Sequence, residues 1–190
     1  MKKTLLLISF LCVGAAHAKP TPGLAKLKVQ LDKICAQFHG RIGYSLRILR
    51  TGEVLSCNGD ERFPTASTIK TGVALAALQM VDEGKLKWTD KKPVPPLAGR
   101  EASMWAYYLP EGLQLDLDAW VNLMITVSDN TATIVTRNWL QTMEVNRRLE
   151  LLGLKNTKIL GNAPKELTNI QRLRRMFGMG MTTPNEMSHL

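Results

Sequence analysis

Apolar residues recur every three or four positions through Leu24, Leu27, Leu31, Ile34 and Phe38, the spacing of a helix with one buried stripe. Thr21-Pro22 starts that helix with proline at its first position, and Gly40 closes it. The period then shortens to two. Ile42, Tyr44, Leu46 and Ile48 alternate with Gly43, Ser45 and Arg47, Thr51-Gly52 turns the chain, and Val54 to Cys57 returns as a second strand. A further helix is predicted from about Ser67, with Ile69, Val73, Leu78 and Val81 inward and Gly84 at its end. Pro93, Pro95, Pro96 and Gly99 mark a loop, and residues 100–114 show no usable period. Asp116 caps a helix whose inner face is Leu117, Trp120, Val121 and Met124, stopping near Ser128. Thr131 to Leu140 and Met143 to Leu152 read as two more helices, the second closed by Gly153, and Thr183-Pro184-Asn185-Glu186 is a T-x-x-E capping box that starts another.

Helix, hairpin, then mostly helix is the order of an α+β domain, or of a helical unit attached to a sheet, and not of a βαβ fold. No internal repeat or low-complexity segment interrupts it. A length of 190 residues with 45% hydrophobic and 22% charged side chains suits one globular domain with a real core and excludes a disordered chain. The first eighteen residues stand apart from it. Lys2 and Lys3 precede the apolar run Leu5 to Val13, and Ala16-His17-Ala18 forms a small-x-small cleavage site, the pattern of a secretory signal peptide. A lipoprotein signal at Cys12 fits less well, because Leu11 before it is bulky.

The expected organisation is therefore a leader over 1–18 and one domain over 19–190, periplasmic or secreted and monomeric. No later stretch approaches the ~20 apolar residues of a membrane span. Loss of Lys2 and Lys3 lowers the net charge from +9 to +7. No Arg/Lys run with interleaved aromatics marks a nucleic-acid surface, so a carboxylate-bearing substrate or an anionic cell-wall polymer suits the charge better. His39 and His189 have no ligand spacing with each other or with Cys35 and Cys57, and neither G-x-G-x-x-G nor a P-loop occurs, so no metal and no cofactor are implied. An oxidising compartment permits a Cys35–Cys57 disulfide, and the sequence leaves both pairing and separate thiols open.

Ser67-Thr68-Ile69-Lys70 carries the first candidate chemistry. Residues i and i+3 share a helix face, so the Lys70 amine reaches the Ser67 hydroxyl, and a helix start offers N–H groups to an anionic oxygen there. The lysine acts as a base only when neutral, which requires desolvation or a neighbouring cation. Ser128-Asp129-Asn130 follows 61 positions later, between two predicted helices. There Ser128 is placed to pass a proton, the Asn130 amide to hold a substrate carbonyl, and Asp129 to bind the loop's backbone N–H groups.

Arg62 to Lys70, Leu123 to Ala132 and Thr182-Thr183-Pro184 resemble the class A β-lactamase and penicillin-recognising serine hydrolase family. The resemblance implies a β-lactamase/transpeptidase-like fold, a helical domain on an antiparallel sheet of which only the first hairpin is present. It implies Ser67 as acylated nucleophile, Lys70 as its proton partner, Ser128 as proton shuttle and Asn130 as substrate ligand, with the Ser67 N–H as half of an oxyanion hole. It implies a serine hydrolase that opens the β-lactam ring through a Ser67 acyl-enzyme and so confers antibiotic resistance, with a β-lactam or a cell-wall peptide as substrate. Counting from Thr157 as that family does, the deacylating glutamate falls on Ala163; the nearest acid, Glu166, is the candidate base. Met181 stands where the family carries an aspartate that clamps this loop. No K-T-G follows Asn130, since Lys70-Thr71-Gly72 lies inside the S-x-x-K helix. The capping box starts a helix one turn before Leu190, and a lone hairpin needs further strands. The chain is thus expected to be the front of a longer domain, lacking its C-terminal strands. The alternatives are a D-Ala-D-Ala peptidase or esterase-like penicillin-binding protein, or a non-catalytic truncated relative.

Overall fold

Pro22 opens helix α1, Pro22–Gln37, as the sequence predicts, although the Thr21 side chain makes no cap bond. The computed structural model describes residues 21–101, 105–161 and 168–190; the predicted leader, Ala163 and Glu166 lie outside them. The hairpin follows as β1, Tyr44–Arg47, and β2, Val54–Cys57, antiparallel with Tyr44 opposite Cys57 and Arg47 opposite Val54. Helix α1 leans on β2, yet none of its residues is buried and Ile34 and Phe38 are exposed. Its apolar stripe is therefore less covered than its period predicts. Two strands make a ribbon about 10 Å wide, too narrow to cover the side of a helix about 24 Å long.

After β3, Phe63–Pro64, a 3₁₀ turn at Ala66–Thr68 leads into helix α2, Ile69–Asp82. This helix is the axis of the core. Ile69, Val73, Ala76 and Ala77 are buried on it as its period requires, but Leu78, predicted inward, is 47% exposed. Gly72 brings α2 close to Leu149: a Cβ there would stand 3.2 Å from a Leu149 methyl. Strands β4, Lys91–Pro93, and β5, Gln114–Asp116, pair antiparallel. Between them Arg100 donates to the carbonyls of Pro95, Tyr107 and Leu109 at 2.8, 2.6 and 2.7 Å and ties those residues together.

Asp116 caps α3, Leu117–Thr126, by accepting from Ala119 N at 2.9 Å. Helices α4, Asn130–Leu140, and α5, Thr142–Leu151, continue the bundle. Trp120, Met124, Ala132, Leu140, Val145 and Leu149 close around α2, and the Trp120 indole N–H finds the Lys92 carbonyl at 3.2 Å, the partner a buried Trp needs. Arg148 of α5, 3% exposed, donates to Glu83 at 2.8 and 2.7 Å and to Glu144 at 2.9 Å. These bonds hold the end of α2 to α5.

Strand β6, Lys158–Ile159, helix α6, Thr168–Phe177, and β7, Gly180–Thr182, come next, and β7 lies between β3 and β6 in a second small antiparallel sheet. Met181 packs with Leu160 and Phe177, so an apolar contact stands where the resemblance called for an acid. Helix α7, Pro184–Met187, is capped by Thr183, whose hydroxyl accepts from Glu186 N at 3.2 Å. The Glu186 carboxylate instead accepts from Asn156 N at 2.9 Å and Thr157 Oγ1 at 2.7 Å. It ties α7 to the chain before β6.

Candidate active site

Two strained corners face each other in this fold. Ala66, just before Ser67, has φ +43°, and Ser128, in the α3–α4 corner, has φ +56°. Left-handed backbone costs a non-glycine residue on the order of 1–2 kcal/mol, and such residues gather where geometry serves function. The packing of α2 against α3 and α4 brings the corners together although 61 residues separate their serines.

Lys70 projects from the first turn of α2 and is 3% exposed. Its amine lies 2.7 Å from the Ser128 carbonyl, 2.8 Å from Ser128 Oγ, 3.1 Å from Asn130 Oδ1 and 3.2 Å from Ser67 Oγ. Ser128 Oγ closes the triangle by donating to Ser67 Oγ at 3.1 Å. Ser67, Lys70, Ser128 and Asn130, four of the five predicted site residues, therefore meet within hydrogen-bonding distance. Burial lowers the Lys70 pKa from its ordinary value, partly opposed by the charge of Asp129. Of the four oxygens around Nζ, two are carbonyl-type groups that only accept and two are hydroxyls that also donate. A neutral amine has two N–H bonds for the two carbonyls, which leaves its lone pair for a serine hydroxyl. Burial therefore shifts the balance toward the neutral amine, and these oxygens can serve that form too.

Asp129 is fully buried and works on the backbone. Its Oδ1 accepts from Ala132 N at 2.8 Å, capping α4, and its Oδ2 accepts from Ala106 N at 2.9 Å and Trp105 N at 3.1 Å. It thereby holds Ser128 and Asn130 in place from below, the structural role its sequence position predicts. His39 and His189 are both exposed and distant in sequence from these corners. Among the described residues no group of three or more His, Cys, Asp or Glu could hold a metal.

A pocket of about 410 Å³ opens beside Asn130, between α2, α4 and the segment around β6. Ile69, Val73 and Ile159 form apolar wall, and Arg137 and Arg174 also line it. The sequence reading passed over these arginines. A signal was present: Asn130, Thr133, Ile134 and Arg137 stand at i, i+3, i+4 and i+7 of one helix, hence on one face.

Residues 26–190 match the model of the Beta-lactamase enzyme family. Beta-lactamase VEB-1 of Pseudomonas aeruginosa is 27% identical over 106 residues, 55% of this chain and 36% of its own length. Beta-lactamase SME-1 of Serratia marcescens is 30% identical over 123 residues, 62% of this chain and 39% of its own length. Among solved structures, a mutant of PBP-A in acyl-enzyme complex with penicillin G superposes with TM-score 0.68 at 27% identity, covering 86% of this chain and 59% of that one. A beta-lactamase from Sphaerobacter thermophilus gives 0.66 at 26%, covering 86% and 58%. These likenesses bear out the α+β, β-lactamase/transpeptidase-like fold. The chain spans less than two-fifths of the curated relatives it matches and about three-fifths of the solved ones. With its matched segment, its fold and its paired serine corners in agreement, the chain belongs to the beta-lactamase enzyme family.

Proposed function

We propose that this chain belongs to an exported serine hydrolase that opens β-lactam rings through an acyl-enzyme on Ser67, and so protects a cell from such antibiotics. The observation that carries the reading is the Ser67–Lys70–Ser128 triangle, with sides of 3.2, 2.8 and 3.1 Å. Ser67 Oγ attacks the lactam carbonyl and gives its proton to the neutral Lys70 amine. As the C–N bond breaks, Ser128 donates its hydroxyl proton to the leaving nitrogen and is reprotonated from Lys70. Asn130 Oδ1 faces Lys70, which leaves its NH₂ to donate to a substrate carbonyl. The Ser67 N–H, at the 3₁₀ turn that opens α2, supplies one oxyanion donor. Water then releases the acyl group, with Glu166 as base.

The proposal places residues 19–190 in a serine hydrolase domain, monomeric, after a leader cleaved following Ala18, in the periplasm or outside the cell. Among the described residues no helix is long and apolar enough to cross a membrane. A second reading has its own support. A mutant of PBP-A, 27% identical, was captured as an acyl-enzyme with penicillin G, and Ala163 occupies the place where the resemblance expects the deacylating acid. This reading is a penicillin-binding protein or D-Ala-D-Ala peptidase that acylates and releases slowly.

Fluorescent penicillin and intact-mass spectrometry test the shared step. One adduct per chain is expected, mapped to Ser67 and missing in Ser67→Ala. No adduct on a folded chain rejects the acyl-enzyme and leaves the non-catalytic relative. Nitrocefin turnover then separates the two active readings, and its loss in Glu166→Ala, with acylation retained, would establish that residue as the base.

A further inference from the structure

Arg137 and Arg174 line one pocket with no carboxylate partner among the described residues. Glu101 also lines it, but no ion pair joins Glu101 to either arginine. Arg137 Nε–H is buried and makes no hydrogen bond, and the guanidinium gives a single long bond, Nη2 to Asn138 Oδ1 at 3.4 Å. Gly161 makes room for it, since a Cβ there would stand 2.5 Å from Arg137 Nη1. Arg174 is close enough for its charge, after burial, to weaken the hold of Arg137 on its proton.

Two guanidinium groups at one partly apolar cavity are costly unless an anion shares it. With only one long hydrogen bond on the Arg137 guanidinium and Arg174 on the same pocket, the pair can give charged N–H donors to the oxygens of a carboxylate. Ile69, Val73 and Ile159 suit an apolar stem behind that carboxylate, and Asn130 links the pocket to the Ser67 cluster. We propose that Arg137 and Arg174 form a subsite for a carboxylate carried on the acyl side chain of the molecule that acylates Ser67. The proposal rests on the acyl-enzyme reading for its substrate and on the pocket alone for its anion.

Carbenicillin and benzylpenicillin make a matched pair that differs by one side-chain carboxylate. The second-order acylation constants of both are measured for the parent chain and for Arg174→Gln. Arg174 is exposed, so its loss leaves packing intact. The carbenicillin-to-benzylpenicillin ratio should fall about tenfold or more, the worth of one charged hydrogen bond. It should fall in Arg137→Gln too and recover partly in Arg137→Lys. A ratio that stays within twofold overturns the subsite.

A binding arm is independent of catalysis. With Ser67→Ala, phenylmalonate should raise the melting temperature and phenylacetamide, which carries no carboxylate, should not, and Arg174→Gln should abolish the difference. Inorganic phosphate that binds as tightly as phenylmalonate would overturn the carboxylate assignment in favour of a general anion site. If neither penicillin acylates the parent chain, the acyl-enzyme reading fails, and the phenylmalonate arm still decides the pocket.

Discussion

Replacing Asp129 with alanine removes the acceptor of three backbone N–H groups at once: Ala132 N at 2.8 Å, Ala106 N at 2.9 Å and Trp105 N at 3.1 Å. Hydrogen bonds to a charged group contribute about 1.5–3 kcal/mol each, and losing a capping side chain costs about 1 kcal/mol. The carboxylate is fully buried, so water does not replace it. The expected loss in Asp129→Ala is about 4–6 kcal/mol, a large share of the 5–15 kcal/mol that holds a typical domain. In Asp129→Asn one oxygen still caps α4, while the NH₂ group faces the Trp105 and Ala106 donors, and about 2–4 kcal/mol should be lost. With a urea slope of about 2 kcal/mol per molar, the midpoint of the asparagine variant should move by about 1–2 M, followed by circular dichroism. The charge has a second readout. Asp129 raises the Lys70 pKa against the larger effect of burial. In Asp129→Asn the amine therefore stays neutral to lower pH, and the acid limb of the acylation profile should shift downward. A stability loss below about 1 kcal/mol in Asp129→Ala, or an acid limb that moves upward, would refute this account of the corner.

Ser128→Ala should lower the penicillin acylation rate by about 10²–10⁴, the usual worth of a positioned proton donor; a stopped-flow rate within threefold of the parent would remove Ser128 from the relay. Glu83, bonded first to Arg148, and Glu144, bonded first to Arg147, are each held down to about 2 from 4.5. Their contribution is complete above pH 4.5 and is lost as the pH falls from there toward 2, so the melting temperature should drop across that window. In Glu83→Gln the drop should be shallower, and an unchanged slope would contradict the pairing. Cys35 of α1 and Cys57 of β2 line one cavity, and both are free. Oxidised glutathione should therefore close a disulfide between α1 and β2, shown by loss of both thiols and a gain of about 3 kcal/mol for a loop of this length. Two titratable thiols remaining after that treatment would show that the geometry does not permit closure.

Local periodicity and local spacing were legible along the chain. The hairpin, the capped starts at Asp116 and Thr183, and the buried stripe of α2 each depend on residues within a turn or two of one another. The Ser67–Lys70 pair belongs with them, because i and i+3 share a helix face in any fold. Residues 100–114 gave no signal for a physical reason. Arg100 bonds to three carbonyls, and the Asp129 bonds to Trp105 and Ala106, hold its described residues without any hydrophobic period. Leu78 and Arg148 reversed the ordinary expectation. The leucine stayed exposed on α2, while the arginine is buried because Glu83 and Glu144 meet it there.

What the amino-acid order determined by itself was which side chains are candidates for the chemistry and the turn of helix that unites Ser67 with Lys70. The tertiary structure alone decided that Ser128, 61 residues on, stands 3.1 Å from Ser67. That distance comes from α2 packing against α3 and α4 through Ile69, Val73, Met124 and Ala132, and hydrophobic burial is non-directional. An apolar pattern states that such faces must be covered, but not by which helix or at what register. The Arg137–Arg174 pocket is a consequence of the same packing. Two unremarkable cations in the sequence become a charged cavity only where α4 and α6 are brought to one wall.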